Sequence, residues 1–188
     1  TELSPLASEK FELGPPQIQA IELSRIVDRG IRESKFINLK KLCISKNELV
    51  WGVFIDIYPI NDDGNLIDAS AIATAVALNN TFIPEIKENK VQFGKLTKEK
   101  LPVNLMPVTI TFYKIGETFI LDPNSAEEEV SSDRVSLAFT FDKQSHIHAV
   151  QKAGVEAIST KELFEIIDLA EKEVKKLKEI IEKKLKKT

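Results

Sequence analysis

Apolar residues Ala20, Leu23, Val27 and Ile31 recur at helical spacing and predict a helix over residues 17–35 with one face turned to a core, while Ile18 and Ile21 fall off that stripe. Residues 1–16 carry turn chemistry at Ser4-Pro5 and end in Gly14-Pro15-Pro16, so they read as an extended lead-in. Residues 39–44 and 48–60 are rich in β-formers, joined by a turn at Lys46-Asn47. In the second run Trp51, Val53, Ile55 and Ile57 share one face and Gly52, Phe54, Asp56 and Tyr58 the other. A polar turn over 61–65 leads into a helix over 68–78, with Asp68 as N-cap. Its residues Ala69, Ala71, Ala73, Ala75 and Ala77 allow close packing, and Asn79-Asn80 ends it.

Short strands are predicted at 81–83, 108–115, 118–122, 135–141 and 146–152, a β-meander separated by polar turns. A last helix starts at Thr160 as N-cap and carries a sustained stripe of Leu163, Ile166, Ile167, Ala170, Val174, Leu177, Ile181 and Leu185 before a lysine-rich tail. The order predicts an α+β fold, a largely antiparallel sheet with helices covering one face, formed by residues 1–188 as a single domain.

Composition narrows the function. A net charge of -3 argues against coating nucleic acid by bulk positive charge, so any such contact has to come from a local cluster of arginines. A single cysteine excludes an internal disulfide, and there is no apolar run long enough for a membrane helix and no secretory pattern, which makes the cytoplasm the expected compartment. Abundant Lys and Glu with scarce Met and Trp are compatible with a thermophilic source.

Three passages occur in sequence: Gly14-Pro15-Pro16 followed by Glu22-Leu23-Ser24-Arg25-Ile26-Val27-Asp28-Arg29; Val53-Phe54-Ile55-Asp56-Ile57-Tyr58; and Gly64-Asn65-Leu66-Ile67-Asp68-Ala69-Ser70. Together they resemble the RNase PH family. Within it the first and third passages, and the continuation through Gln151-Lys152-Ala153-Gly154, resemble the non-catalytic RNase PH-like subunit of the archaeal exosome. The resemblance implies an RNase PH-like fold whose first strands lie ahead of the passage that opens here at Thr1. Without those strands a sheet edge is expected to stay open, to be closed by the missing segment or by a partner.

The resemblance also implies a function: support of 3′-to-5′ phosphorolytic RNA degradation carried out by another subunit. Catalytic relatives hold phosphate in a Gly-Gly-Thr/Ser-Arg turn at a helix N-terminus, using backbone amides, a hydroxyl and a guanidinium. Here the turn reads Asp63-Gly64-Asn65-Leu66, so Asn65 stands for the hydroxyl and Leu66 for the guanidinium, with Asp62, Asp63 and Asp68 crowding the same helix end with negative charge. Asp133 matches the family's catalytic aspartate, which without a phosphate cradle has no nucleophile to serve. No cofactor and no catalytic residue of this chain is implied.

Arg25, Arg29 and Arg32 are spaced i, i+4, i+7 and project from one side of the first helix. Spacing alone leaves open whether they bind RNA phosphates or pair with Glu22, Asp28 or Glu33 on the same helix. The resemblance assigns Arg25 and Arg29 to single-stranded RNA, and Arg32 joins them by spacing. It implies partners too: a heterodimer with a catalytic RNase PH-like exosome subunit, three heterodimers closing a six-membered ring, and RNA-binding cap subunits, with no membrane. Two other readings stay open, an active phosphorolytic exoribonuclease and an oligomerisation module that touches no RNA.

Weaker signals have ordinary explanations. His146 and His148 share a strand face without a third ligand. Cys43, between Leu42 and Ile44, is expected to be a buried inert thiol. Glu127, Glu128 and Glu129 near Asp122 could hold magnesium but read as a solvated loop, and the lysine-rich tail over 172–187 reads as a solvated helix face.

Overall fold

The computed structural model describes residues 1–87 and 90–185, which leaves the last lysines of the tail, Lys186 and Lys187, outside the described residues. Helix α1 (Ile18–Glu33) is followed by a 3-10 turn (Leu39–Leu42), strands β1 (Cys43–Ser45) and β2 (Leu49–Val50), and helix α2 (Leu66–Asn80). Then come β3 (Phe82–Lys87), β4 (Lys90–Lys100), β5 (Val108–Ile115), β6 (Thr118–Leu121), helix α3 (Ser125–Glu129), β7 (Asp133–Phe141), β8 (Ser145–Gly154) and α4 (Thr160–Leu185).

Strands β5 to β8 form an antiparallel sheet in the order β6-β5-β7-β8, while β1-β2 and β3-β4 are separate two-stranded ribbons. The sheet is covered on both faces, not one. Val108, Ile110, Phe112, Val135, Leu137 and Phe139 pack with Ile166, Ala170, Val174 and Ile181 of α4. On the opposite face α1 crosses so closely that a Cβ on Gly30 would meet Thr109 Oγ1 at 3.4 Å and Ala138 Cβ at 3.6 Å. Helix α2 bridges the two layers: Ala71, Ala75 and Leu78 pack with Leu23, Val27 and Ile31 of α1, and Ile72 and Val76 pack against the α4 core. Of its five alanines only Ala71 and Ala75 are buried. Each large apolar side chain fully removed from water contributes on the order of 1.5–3 kcal/mol, so this double layer supplies most of the drive to fold.

Several boundaries differ from the sequence pattern for physical reasons. Of the expected strand over 48–60 only Leu49–Val50 pairs. Beyond it Trp51, Val53 and Ile57 point into the α1–α2 core as alternation requires, whereas Ile55, expected on the same face, is exposed. The segment finds no ladder partner among the described residues beyond single bonds such as Glu2 N–H to the Ile57 carbonyl, 3.0 Å. The expected strand over 39–44 begins instead as the 3-10 turn. The sequence pattern does not predict strand β4, because its apolar positions Val91, Phe93 and Leu96 lie in water and the bulge breaks their period of two. The α4 cap is Ser159, not Thr160: its hydroxyl accepts from Glu162 N–H at 3.2 Å while Glu162 accepts from the Ser159 amide at 2.8 Å. Cys43 is exposed, since the short β1 turns it outward, and the expectation of a buried thiol fails. No helix among the described residues is long and apolar enough to cross a membrane.

Candidate nucleic-acid interface

Two surfaces decide what this fold can do with an anion. The first is a cleft of about 460 Å³ between α1 and the β7–β8 edge of the sheet, lined by Ile18, Ile21, Arg25 and Arg29 of α1, Arg134 of β7 and Val150 of β8, among others. Helical periodicity brings Arg25 and Arg29 here because the buried face of α1 is Ala20, Leu23, Ile26, Val27, Gly30 and Ile31. Both arginines are exposed, and among the described residues neither makes an ion pair.

Arg32 does not join them. Its guanidinium lies 3.0 Å from Asp28 one turn back, in a solvent-exposed pair outside the cleft. Such an exposed pair contributes only a few tenths of a kcal/mol, and Arg32 is not among the residues that line the cleft with Arg25 and Arg29.

Arg134 is the residue that sequence reasoning missed. On β7 its side chain shares the α1 face with Ser136 and Ala138, and it pairs with Glu22 of α1, which pins the helix to the strand and holds a third guanidinium beside Arg29. The signal was the strand parity of Asp133-Arg134: consecutive strand residues face opposite sides. Lys152 contributes only to the rim, because it follows its register partner Val135 to the α4 face. There its ammonium donates to Asp133 at 2.6 Å and to the Gly154 carbonyl at 2.9 Å.

Asp133 is therefore a buried, ion-paired carboxylate. The Lys152 bond holds its carboxyl below the usual range, helped by the Glu156 amide at 3.1 Å. Gly154, at φ +103, is required here, since a Cβ would run into the Asp133 carboxylate.

The second surface is the N-terminal turn of α2. Asn65, in left-handed conformation at φ 51, is the N-cap residue, so Asp68 is not the cap but lies in the first turn, and it is buried. The Asp68 carboxylate accepts from Thr111 N–H at 2.9 Å, Thr111 Oγ1 at 2.7 Å and Asn65 Nδ2 at 3.2 Å, tying the helix to β5. Burial pushes its pKa up from 3.8 to about 6 against the pull of those donors.

The anion at this turn is Glu128. Its Oε2 accepts the Asn65 amide at 2.8 Å and its Oε1 accepts the Tyr113 hydroxyl at 3.0 Å. Burial and this neighbouring carboxylate push the Tyr113 phenol well above its ordinary range. Gly64 is needed because a Cβ there would overlap the Pro123 carbonyl. The depression beside the turn, about 750 Å³, is walled by Glu22, Asp62, Glu128 and Glu129, with Lys10 and Arg134 the basic residues in its wall. A carboxylate of the chain itself thus accepts the backbone amide of the N-cap residue Asn65, and its acidic neighbours add negative charge beside the helix end.

The remaining candidates disperse. Glu127 closes a capping box with Asn124, Glu128 serves α2, and Glu129 lies 3.4 Å from Lys10. His146 and His148 do share a face, with ring centroids 6.5 Å apart, but they bond to Asp142 and Thr140 respectively. Among the described residues no group of three or more side chains is arranged to hold a metal.

Comparison with known proteins identifies the family of the fold. Residues 1–84 match the model of the 3′ exoribonuclease family, domain 1, and residues 106–173 match domain 2 of the same family. The chain is 45% identical over 169 residues to the exosome complex component Rrp42 of Methanosarcina acetivorans, covering 90% of this chain and 61% of that protein. It is 40% identical over 187 residues to the Rrp42 component of Methanothermobacter thermautotrophicus, covering 98% of this chain and 68% of that one. A chain of the Archaeoglobus fulgidus exosome with RNA bound to the active site superposes with a TM-score of 0.84 at 41% identity, over 95% of this chain and 67% of the other. This chain thus spans roughly two thirds of the length of the relatives it matches. With both domain models aligned in order and relatives this similar, the chain belongs to the RNase PH family of 3′ exoribonucleases.

Proposed function

We propose that this chain is an RNA-holding, non-catalytic subunit of an archaeal-type exosome, supporting 3′-to-5′ phosphorolysis by a catalytic RNase PH-like partner. One observation carries the reading: the Glu128 carboxylate takes the Asn65 amide at the α2 N-terminus, where a phosphorolytic site needs free donors for inorganic phosphate. Asn65 and Leu66 add neither a hydroxyl nor a guanidinium, and Asp133 stays ionised under Lys152. The guanidiniums of Arg25 and Arg29, which have no ion pair among the described residues, instead line the α1–β8 cleft with Arg134 beside them, suited to the phosphates of a single strand passing to the partner.

The similarity to exosome components supports assembly with other exosome subunits; with it we propose a heterodimer with the catalytic subunit, three of which close a ring under RNA-binding cap subunits, in the cytoplasm. The test is phosphate-dependent decay of a 3′-labelled single-stranded RNA. The chain alone should release no nucleoside diphosphate, and adding it to the catalytic partner should raise both RNA affinity and decay. Diphosphate release by the isolated chain would overturn the non-catalytic assignment; unchanged RNA handling by the partner would overturn the supporting role.

A further inference from the structure

The β3–β4 hairpin leaves the body of the fold after α2 and packs extensively only on itself. Its pairs Phe82–Lys100, Pro84–Leu96 and Ile86–Val91 leave more residues in β4 than in β3, so β4 bulges, with Phe93 and Gly94 (φ +76) inside the bulge. An isolated two-stranded ribbon is marginal in water, and a bulge that turns an aromatic ring wholly outward adds nothing to its stability. Phe93 is nonetheless 101% exposed.

Around it the charge is one-sided. In a chain of net charge -3, the segment 82–100 carries Lys87, Lys90, Lys95, Lys98 and Lys100, all exposed, against three acids in the sequence, Glu85, Glu88 and Glu99. Lys87 is paired with Glu85 at 3.3 Å, and Lys100 lies 5.7 Å from the centre of the Phe82 ring. Among the described residues Lys90, Lys95 and Lys98 have no ion pair.

We propose that the β3–β4 hairpin is a second contact for single-stranded RNA, with Phe93 a stacking platform for a base and Lys90, Lys95 and Lys98 holding the flanking phosphates. The chemistry that recognises the ligand is an unpaired base beside a polyanionic backbone: every base offers a face to an exposed ring, and the lysines are free to exchange counterions for phosphate. An apolar protein partner would call for a broader uncharged patch than Val91, Phe93 and Leu96 provide between lysines. The proposal extends the reading of the chain as an RNA-holding subunit and rests on it for the identity of the polyanion.

The test is anisotropy titration of a labelled single-stranded RNA with the full chain across a salt series. Lys90→Ala, Lys95→Ala and Lys98→Ala together should weaken binding ~10- to 100-fold near 0.1 M salt and make the log–log salt slope shallower by about 2. Phe93→Ala should weaken it about 5- to 100-fold, and Phe93→Trp should retain affinity. All four positions are solvent-exposed, so unchanged melting temperatures confirm that the fold is intact.

The effects should persist when Arg25 and Arg29 are also replaced. If the hairpin variants bind as the parent does while the arginine variant loses RNA, the hairpin proposal falls and the cleft stands. If only the hairpin variants lose RNA, the hairpin stands and the cleft reading falls. Full RNA binding by Phe93→Ala refutes the stacking platform. Hairpin variants that keep RNA but no longer co-purify with a catalytic RNase PH-like partner mark the ribbon as a protein contact and overturn the proposal.

Discussion

Replacing Asp68 by asparagine probes the turn on which the non-catalytic assignment depends. Burial raises the Asp68 carboxyl from 3.8 to about 6, opposed by the bonds from Thr111 and Asn65. The folded chain therefore holds this proton more tightly than the unfolded chain does. The resulting stabilisation is complete below an unfolded pKa of about 3.8 and is lost as pH rises through about 6. The whole shift corresponds to about 3 kcal/mol, of which about 1.4 kcal/mol returns between pH 8 and pH 5.

Asparagine cannot titrate and turns an amide N–H toward one of the Thr111 donors, a mismatch costing about 1–3 kcal/mol. Urea unfolding of both chains at pH 8 and pH 5 should show the Asp68→Asn chain less stable at each pH. The gap should widen by about 1.4 kcal/mol at pH 5. Comparing the two chains cancels every other titrating group. A gap that is the same at both pH values, or narrower at pH 5, refutes the claim that this carboxyl is held against its own desolvation.

Three further outcomes are expected. Arg25→Ala with Arg29→Ala should make the log-affinity against log-salt slope for single-stranded RNA shallower by about 1.4, whereas Arg32→Ala, already paired with Asp28, should leave it unchanged; filter binding over a salt series reads both. Glu128→Ala removes the acceptor for the Asn65 amide and the Tyr113 hydroxyl, and should cost about 1–3 kcal/mol in denaturant unfolding and speed hydrogen exchange at the Asn65 amide. Gly154→Ala forces a side chain into φ +103 against Asp133, and should cost about 1–3 kcal/mol, measured by thermal unfolding.

Much of the scaffold was legible because local rules decide it. The apolar stripes of α1 and α4 and the strand Val108–Ile115 follow from periodicity, and the structure returns them within a residue or two at most boundaries. The placing of Arg25 and Arg29 on the exposed side of α1 follows from the same periodicity. That the turn Asp63-Gly64-Asn65-Leu66 carries neither a hydroxyl nor an arginine is a matter of which side chains are present. The strand expected over 48–60 was misread because alternation reports which faces are buried, whereas a ladder also needs a neighbour to accept its hydrogen bonds.

What the sequence determined by itself was the inventory: a guanidinium pair one helical turn apart, and a turn over Asp63-Gly64-Asn65-Leu66 that contains no hydroxyl or guanidinium side chain. Only the tertiary structure decided how those parts are used. Glu128 reaches the Asn65 amide across 63 positions of chain, Arg134 comes to the cleft because β7 lies under α1, and Lys152 is drawn off to Asp133 on the opposite face. The physical reason is common to all three. Each depends on which atoms from distant segments satisfy a buried donor or charge, and that is settled when sheet and helices pack, not by the spacing of residues within any one element.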